Sequence, residues 1–172
     1  SKCELFTSKD YSYMPIGQLI RKGNMEAIRE YYQTLGQSFV DALDDMIIFD
    51  ALICNVDRHL GNFGVLVNNV TNQIEKPAPL FDHGNSLFSL GGLDLWNNET
   101  AFHEYVETLV PVAYDDFLDE ARKVMQLRHH KMLRQLLNFS FDRRASRYNL
   151  PTNRLAMIER EVQRRARILL DY

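Results

Sequence analysis

The sequence has few of the residues that mark secreted, zinc-binding or membrane-spanning proteins. Its 172 residues include two cysteines, Cys3 and Cys54. Two thiols this far apart form neither a disulfide framework nor the close pair of a zinc knuckle or CxxC redox motif. No apolar run approaches the roughly 18–20 residues of a membrane span, and no apolar signal segment stands at the N-terminus. These absences predict a cytoplasmic protein with no membrane partner.

The sequence also lacks internal repeats and any linker rich in proline, glycine or serine. With 45% hydrophobic and 25% charged residues, its composition is typical of a packed globular chain. A chain of this length buries enough surface to fold without disulfides. We therefore predict a single domain over residues 1–172.

Basic residues are scarce in the first two thirds of the chain. Residues 1–121 contain 7 Lys and Arg against 19 Asp and Glu, whereas residues 122–172 contain 13 against 4, within a net charge of −3. One interpretation is that basic C-terminal helices pack over an acidic body. The other is a basic face that attracts a polyanion, such as nucleic acid or an acidic protein, by long-range electrostatics.

Apolar residues recur at helical spacing in three segments. Asn24 is placed to cap a helix that runs from Met25 to about Leu35 and ends at Gly36. A longer helix follows from Ser38 to Cys54, and its second half is apolar almost all round. The polar face of this helix carries three acidic residues, Asp41, Asp44 and Asp45. The last helix begins at Pro151-Thr152, and the region before residue 54 is predicted to be mostly helical.

The hydrophobic period changes after the long helix. Phe63–Val67 and Pro79–Phe81 are short, apolar and compatible with β-strands, and the polar stretch 68–73 separates them. Because Pro77 and Pro79 cannot donate to a strand ladder, the returning strand should be short or lie at a sheet edge. The pattern predicts an α+β fold that is predominantly α-helical, with one small β-hairpin.

Polar residues of catalytic type stand at the two ends of this hairpin. Asp57, His59 and Asn62 precede its first strand, and Asp82 follows its second. Because a hairpin brings its two ends together, we expect these four side chains to converge in one cleft.

Phosphoryl transfer needs this set of side chains. Mg²⁺ bound to a nucleotide triphosphate takes hard oxygen ligands, which Asn62 and Asp82 can supply. A second carboxylate must orient the acceptor hydroxyl and take its proton, a task for which Asp57 is placed. The interval of five residues from Asp57 to Asn62 equals that of the kinase pattern HRDxxxxN, and Asp82-His83-Gly84 matches the position of DFG.

The stretch Asp57-Arg58-His59-Leu60-Gly61-Asn62 resembles the DRHxxN motif of the phosphatidylinositol 3- and 4-kinase-like superfamily. Together with Pro79-Leu80-Phe81-Asp82, it is similar to the corresponding part of HipA-type bacterial serine/threonine kinases, over roughly residues 50–90. The resemblance implies the C-terminal lobe of a protein-kinase-like fold, with ATP and Mg²⁺ as cofactors and a serine or threonine hydroxyl of a protein as acceptor. It also allows a DNA-binding, antitoxin-type partner.

Carried over by position, the resemblance makes Asp57 the catalytic aspartate and makes Asn62 and Asp82 the metal ligands. His59 would be a phosphate-facing donor, at a position where many protein kinases have lysine. His83 stands where DFG has phenylalanine, so the role of that aromatic does not transfer and His83 is left without a role.

Parts of a complete kinase are absent from the sequence. The eight glycines form no GxGxxG, and no strand-like segment before the first helices carries the lysine that grips the α/β-phosphates. The chain is then either part of a longer kinase or a degenerate relative that binds without catalysis. We expect the former, because the sequence begins at Ser1-Lys2 without methionine, and we expect the chain alone to lack activity for want of an N-terminal, ATP-clamping lobe.

Two other functions use the same residues differently. His59, His83, Asp57 and Asp82 would be transition-metal ligands in a metal-dependent phosphohydrolase. A non-enzymatic helical module would instead bind nucleic acid or an acidic protein through its basic C-terminal helices. In that case Asp57 and Asn62 only satisfy local backbone groups.

Three residues near the motif are expected to be structural. Gly61 and Gly64 should serve backbone turns rather than phosphate binding. Cys54 should be an inert core thiol, because it ends an apolar helix.

Overall fold

The computed structural model describes residues 7–20, 24–143 and 149–171, so that Cys3 and Ser1-Lys2 lie outside it. The strands in these ranges are β1 (Tyr11–Pro15), β2 (Gly64–Asn68) and β3 (Ile74–Pro77). The helices are α1 (Ile16–Leu19), α2 (Met25–Leu35), α3 (Gln37–Ile53), α4 (Glu99–Glu107), α5 (Phe117–Val124), α6 (Leu127–Leu136) and α7 (Thr152–Leu170). A 3₁₀ helix, Leu93–Asn97, precedes α4. None of the helices in the described ranges combines the length and apolarity that crossing a bilayer requires.

The three helices predicted from periodicity are confirmed. The Asn24 side chain caps α2 by accepting a hydrogen bond from the backbone N–H of Ala27 at 3.1 Å. Gly36 ends α2 with a φ of 120°, a conformation that favours glycine because no Cβ can clash. The long helix α3 and the last helix α7 each begin within one residue of the predicted start.

The core of the protein forms around α3. The second half of this helix is buried, as predicted, apart from Phe49, which is 38% exposed, and Ile53, which is half-buried. Burial also raises the pKa of the Cys54 thiol to about 12, which agrees with an inert core residue.

Asp44, on the polar face of α3, is covered by other helices. Its side chain is fully buried and pairs with Arg29 of α2, and Gln126 at the start of α6 donates to its Oδ2 at 2.8 Å. Because other helices pack over this part of α3, its polar face forms an interface at Asp44. Charge-assisted hydrogen bonds hold that interface together.

The sheet contains β1, β2 and β3 in that order, with both pairs antiparallel, and the fold is α+β and predominantly helical as predicted. The region before residue 54 is mostly helical, as predicted, but β1 corrects the expectation of a sheet limited to one hairpin. Tyr13 of β1 pairs with Leu66 of β2, far along the chain. A short strand stabilised by so distant a partner carries little periodic signal of its own.

The returning strand lies earlier than predicted. β3 spans Ile74–Pro77 rather than Pro79–Phe81, because the turn before it is tight. Asn68 Oδ1 accepts a hydrogen bond from the backbone N–H of Val70 at 2.8 Å, and Asn72 adopts a left-handed φ of 55°. β3 lies at an edge of the sheet, which agrees with the expectation from its proline.

Basic side chains of the C-terminal helices pair with acidic residues of the preceding helices. Arg128 of α6 lies 2.5 Å from a carboxylate oxygen of Asp45 in α3, and Arg164 of α7 lies 3.1 Å from Glu107 of α4. These contacts agree with the interpretation that the basic helices pack over the acidic body. A basic face for a polyanion stays a prediction.

Gly64 allows β1 and β2 to approach closely, and it lies in a strand, not in the turn that the sequence predicts. A Cβ at this position would stand 2.1 Å from the Met14 carbonyl oxygen and 2.9 Å from Pro15 Cα. Because these are backbone atoms of β1, they cannot move away without disturbing the strand pairing. We expect Gly64→Ala to lower the free energy of unfolding by about 1–3 kcal/mol or more, measured by urea denaturation.

Gly84→Ala is the matched control. A Cβ at Gly84 would meet no atom within 4 Å. This variant should change the free energy of unfolding by less than about 0.5 kcal/mol. A Gly64→Ala protein as stable as the Gly84→Ala protein would contradict the close approach of the two strands.

Candidate functional site

Arg58 lies at the centre of the candidate site, and its side chain is fully buried. Its Nε donates to Oδ2 of Asp50 at 2.6 Å, and its Nη2 donates to Oδ1 at 2.9 Å. Asp50 stands in the last turn of α3 and is equally buried. A buried charge is costly unless it is paired and hydrogen-bonded, so this two-bond geometry locks the loop after α3 to the helix.

The same guanidinium joins the two ends of the β2–β3 hairpin. Its Nη1 donates to the backbone carbonyl oxygens of Asn62 at 2.8 Å and Phe81 at 3.1 Å, and its Nη2 donates to Nδ1 of His83 at 3.2 Å. Asp82 lies between Phe81 and His83 in the chain. The loop that carries Asp57 and Asn62 and the loop that carries Asp82 therefore meet at Arg58.

Sequence reasoning missed the roles of Asp50 and Arg58. Within the motif, Arg58 has no task of its own, and within the apolar half of α3 Asp50 is an isolated exception. That exception was the available signal. A single acidic residue at a buried helical position, eight residues before an arginine, predicts an ion pair because a buried carboxylate needs a partner.

Asn62 closes the loop that begins at Asp57. Its Nδ2 donates to the backbone carbonyl of Asp57 at 3.1 Å, its backbone N–H donates to the carbonyl of His59 at 2.9 Å, and the residue is only 5% exposed. Asn62 thus satisfies local backbone groups, one of the two roles that the sequence leaves open. Because the amide nitrogen makes this contact, the amide oxygen is the atom left to bind a cation.

Asp57 is half-buried and is held by a residue that the sequence did not single out. Asn85 Nδ2 donates to Oδ2 of Asp57 at 3.0 Å. The backbone carbonyl of Asn85 accepts a hydrogen bond from the N–H of Val56 at 3.2 Å. The segment after Asp82 therefore contacts the loop that carries Asp57 through both its backbone and a side chain.

His59 is exposed, and one of its ring nitrogens is used locally. Its Nδ1 accepts a hydrogen bond from the backbone N–H of Gly61 at 3.0 Å. In the neutral ring the proton is then on Nε2, which leaves a donor for an anion. A Cβ at Gly61 would stand 2.8 Å from the His59 ring, so this glycine serves the turn as predicted. The role of His59 as a phosphate donor stays a prediction.

His83, left without a role by the motif, packs against two neighbours. Its Nδ1 accepts the hydrogen bond from Arg58, and its ring meets Phe49 edge to face at a centroid distance of 5.1 Å. Burial, and after it the positive charge of Arg58, lower the pKa of His83. The ring is therefore a neutral part of the Arg58 network.

Asp82 and His59 are the most exposed of the predicted site residues. The side chain of Asp82 is exposed, and its backbone takes a left-handed φ of 58°. Aspartate tolerates this conformation better than most residues with a Cβ. Asp82 thus sits at a sharp bend between two residues that Arg58 holds.

The oxygen donors of the site suit Mg²⁺ better than a transition metal. Among the described residues no group of three or more His, Cys, Asp or Glu side chains is placed to hold a metal ion. His59, His83, Asp57 and Asp82 therefore do not form the metal centre of the phosphohydrolase interpretation. An amide oxygen and one carboxylate, on Asn62 and Asp82, fit Mg²⁺, which keeps waters and takes the rest of its ligands from substrate phosphates.

The predicted site residues do not line the cavity between α2 and α5. That cavity, of about 660 Å³, lies between α2 and α5 and has several carboxylates on its walls, including Glu26, Asp116 and Asp119. The half-buried Asp57 and the exposed Asp82 lie elsewhere, on the hairpin loops. The candidate site therefore lies outside this cavity.

Comparison with known proteins supports the fold alone. No family model matches the sequence, and no curated protein matches it. Among solved structures, the chain is similar to the Helicobacter pylori proinflammatory kinase CtkA, with a TM-score of 0.65 and 16% sequence identity over 98% of this chain and 68% of that chain. The protein therefore has a kinase-like fold, as the resemblance of its motif implies.

Asp50→Asn tests the buried ion pair. The substitution removes the carboxylate charge and leaves the Arg58 guanidinium buried without its counter-ion. We expect the free energy of unfolding to fall by about 3–5 kcal/mol, the usual loss when one partner of a buried pair is removed. Chemical denaturation followed by tryptophan fluorescence of Trp96 measures it.

Glu99→Gln provides the control on an exposed pair. Glu99 and its partner Arg160 are 72% and 58% exposed. Water screens this pair, so its loss should change the free energy of unfolding by less than about 1 kcal/mol. Similar effects for the two variants would show that the Asp50–Arg58 pair is not the anchor of the site.

Proposed function

We propose that this chain is the catalytic lobe of an ATP-dependent serine/threonine protein kinase of the HipA-like type. One observation carries the proposal: the buried Arg58 guanidinium binds the backbone on both sides of the candidate active site, at Asn62 and at Phe81. This arrangement brings the Asp57–Asn62 loop and the Asp82 loop together in the chain order that kinases use. The kinase-like fold supports it.

ATP and Mg²⁺ are the cofactors of the proposed reaction. Asn62, through its amide oxygen, and Asp82, through its carboxylate, would hold the metal ion. When bound, Mg²⁺ neutralises charge on the β- and γ-phosphates. His59 would donate its Nε2–H to a phosphate oxygen and stabilise charge there.

Asp57 is the proposed base. The oxygen of an acceptor serine or threonine forms a bond to the γ-phosphorus while the bond from that phosphorus to the β-phosphate oxygen breaks. The hydroxyl proton passes to the Asp57 carboxylate, and ADP leaves with the electron pair of the broken bond. Because Asp57 is not a proposed metal ligand, its carboxylate is available for that proton.

The remaining parts of the ATP site are proposed to lie in a further, N-terminal lobe of the full-length protein. The sequence contains no GxGxxG loop, and CtkA is longer than this chain, which covers 68% of it. A lobe with a glycine-rich loop and a paired lysine would cover the exposed face of the site. We further propose a cytoplasmic location and allow for a DNA-binding, antitoxin-type partner.

Two aspartates should have separable roles in the full-length protein. Asp57→Asn should lower kcat for phosphoryl transfer by on the order of 10²–10⁴-fold and leave Mg·ATP binding intact, because it removes a base and no metal ligand. Asp82→Asn should instead weaken nucleotide binding in Mg²⁺. Transfer of labelled phosphate and titration calorimetry measure the two effects.

Asp94→Asn is the control for these variants, because Asp94 is an exposed carboxylate in the 3₁₀ helix. It should change neither transfer nor binding. The same binding defect in Asp57→Asn and Asp82→Asn would contradict the assignment of roles. Nucleic-acid binding that falls steeply with salt and survives Asp57→Asn, in a protein without transfer, would instead favour the non-enzymatic module.

The 172-residue chain alone should fold yet bind Mg·ATP weakly. Its core closes around α3 and α7, whereas Asn62 and Asp82 by themselves would hold a well-hydrated ion loosely. Circular dichroism and titration calorimetry with Mg·ATP check both parts. A micromolar Kd, or transfer of labelled phosphate by this chain, would show that its own residues do the work of the proposed glycine-rich loop and lysine.

A further inference from the structure

Asn85 contacts the proposed base directly, although no motif includes it. Its Nδ2 donates to Oδ2 of Asp57 at 3.0 Å. No described residue donates a hydrogen bond to the other oxygen, Oδ1, and no described Lys, Arg or His forms an ion pair with Asp57. The only side chain seen to hold this carboxylate, among the described residues, is therefore a neutral amide.

The backbone around Asn85 is fixed, so its amide is held in place. The carbonyl of Asn85 accepts a hydrogen bond from Val56 N–H at 3.2 Å, and Leu87 N–H donates to the carbonyl of Ile53 at 2.6 Å. These two bonds tie residues 85–87 to the end of α3 and to the start of the loop that carries Asp57.

A neutral donor suits a carboxylate that must accept a proton. A free carboxylate rotates about its last torsion and offers either oxygen, whereas a bond to Oδ2 sets the plane of the group. An arginine or lysine at this place would also orient the carboxylate, but its charge would oppose protonation. An asparagine orients the group without adding a charge.

We propose that Asn85 is the positioning residue of the base: it holds Oδ2 of Asp57 so that Oδ1 faces the acceptor hydroxyl. This inference rests on the proposed kinase function. It adds a link between the two loops of the site, since Asn85 follows the proposed metal ligand Asp82 by three residues. The bend that places the metal ligand therefore also places the base.

The test compares Asn85→Ala and Asn85→Asp with Ser86→Ala in the full-length protein. Misplacement of a reacting group by about 1 Å can lower a rate by about 10²-fold, so we expect kcat of Asn85→Ala to fall by roughly 10- to 100-fold. The KM for ATP should stay unchanged, because Asn62 and Asp82 are intact. Asn85→Asp keeps the size of the side chain but sets a second carboxylate against Asp57, and its kcat should fall at least as far.

Ser86→Ala is the matched control. It removes the hydrogen bond of the neighbouring residue to His83 and touches no atom of Asp57. A purely structural role of this segment would lower kcat equally in Asn85→Ala and Ser86→Ala, whereas positioning lowers it in the Asn85 variants alone. Thermal unfolding of each variant identifies a loss of activity that comes from unfolding.

A second measurement does not depend on activity. The side-chain amide resonances of Asn85, observed by NMR in selectively labelled protein, should shift in Asp57→Ala and stay in place in Ser86→Ala. Unshifted resonances in Asp57→Ala would overturn the inference.

The outcomes separate this inference from the proposed function. Active wild-type protein with an equally active Asn85→Ala variant overturns the inference and leaves the kinase function standing. Wild-type protein without any phosphoryl transfer overturns both. A fall in kcat at constant KM for ATP, absent from Ser86→Ala, supports the inference.

Discussion

The buried ion pair between Asp50 and Arg58 is the interaction on which the candidate site depends. An arginine without solvent contact needs most of its donors satisfied, and Arg58 makes five hydrogen bonds. Two of them reach the Asp50 carboxylate, and the others reach Asn62, Phe81 and His83. The need to satisfy one buried charge thus holds α3, the Asp57–Asn62 loop and the loop after β3 in a fixed arrangement.

That arrangement matches what phosphoryl transfer demands of a protein. The reaction asks for little covalent chemistry from the enzyme and depends on the position of a base and of metal ligands. Two sets of contacts make the site rigid: the hydrogen bonds of the buried Arg58 and the hydrogen bond from Asn85 to Asp57. The exposed Asp82 and His59 face outward from this rigid base, which agrees with the proposal that a further lobe completes the site.

Prediction from the sequence succeeded where structure is set by neighbours along the chain. Asn24 and Gly36 bound α2 because capping and helix termination act within one turn. The buried half of α3 follows from its apolar run. The pattern places Asp44 on the polar face of α3 but does not indicate its partners, Arg29 and Gln126, which come from other helices. Prediction was wrong for the sheet, which includes β1 as well as the hairpin, because a five-residue strand needs β2 to hold it.

For the site, the sequence by itself determined which side chains are available: two carboxylates, an amide and an imidazole at fixed intervals around a hairpin, the residue types that the proposed reaction requires. Only the tertiary structure decided which side chains hold these groups. Arg58 meets Phe81 and His83, and Asn85 meets Asp57, across 23 to 28 residues of chain. Contacts at such separations form because β2 and β3 bring the chain back beside α3. The buried charge of Arg58 favours the chain path in which its hydrogen-bond donors are satisfied. The spacing of residues along a sequence predicts contacts within a helical turn or a strand. It does not predict which distant backbone carbonyl will accept a hydrogen bond from an arginine.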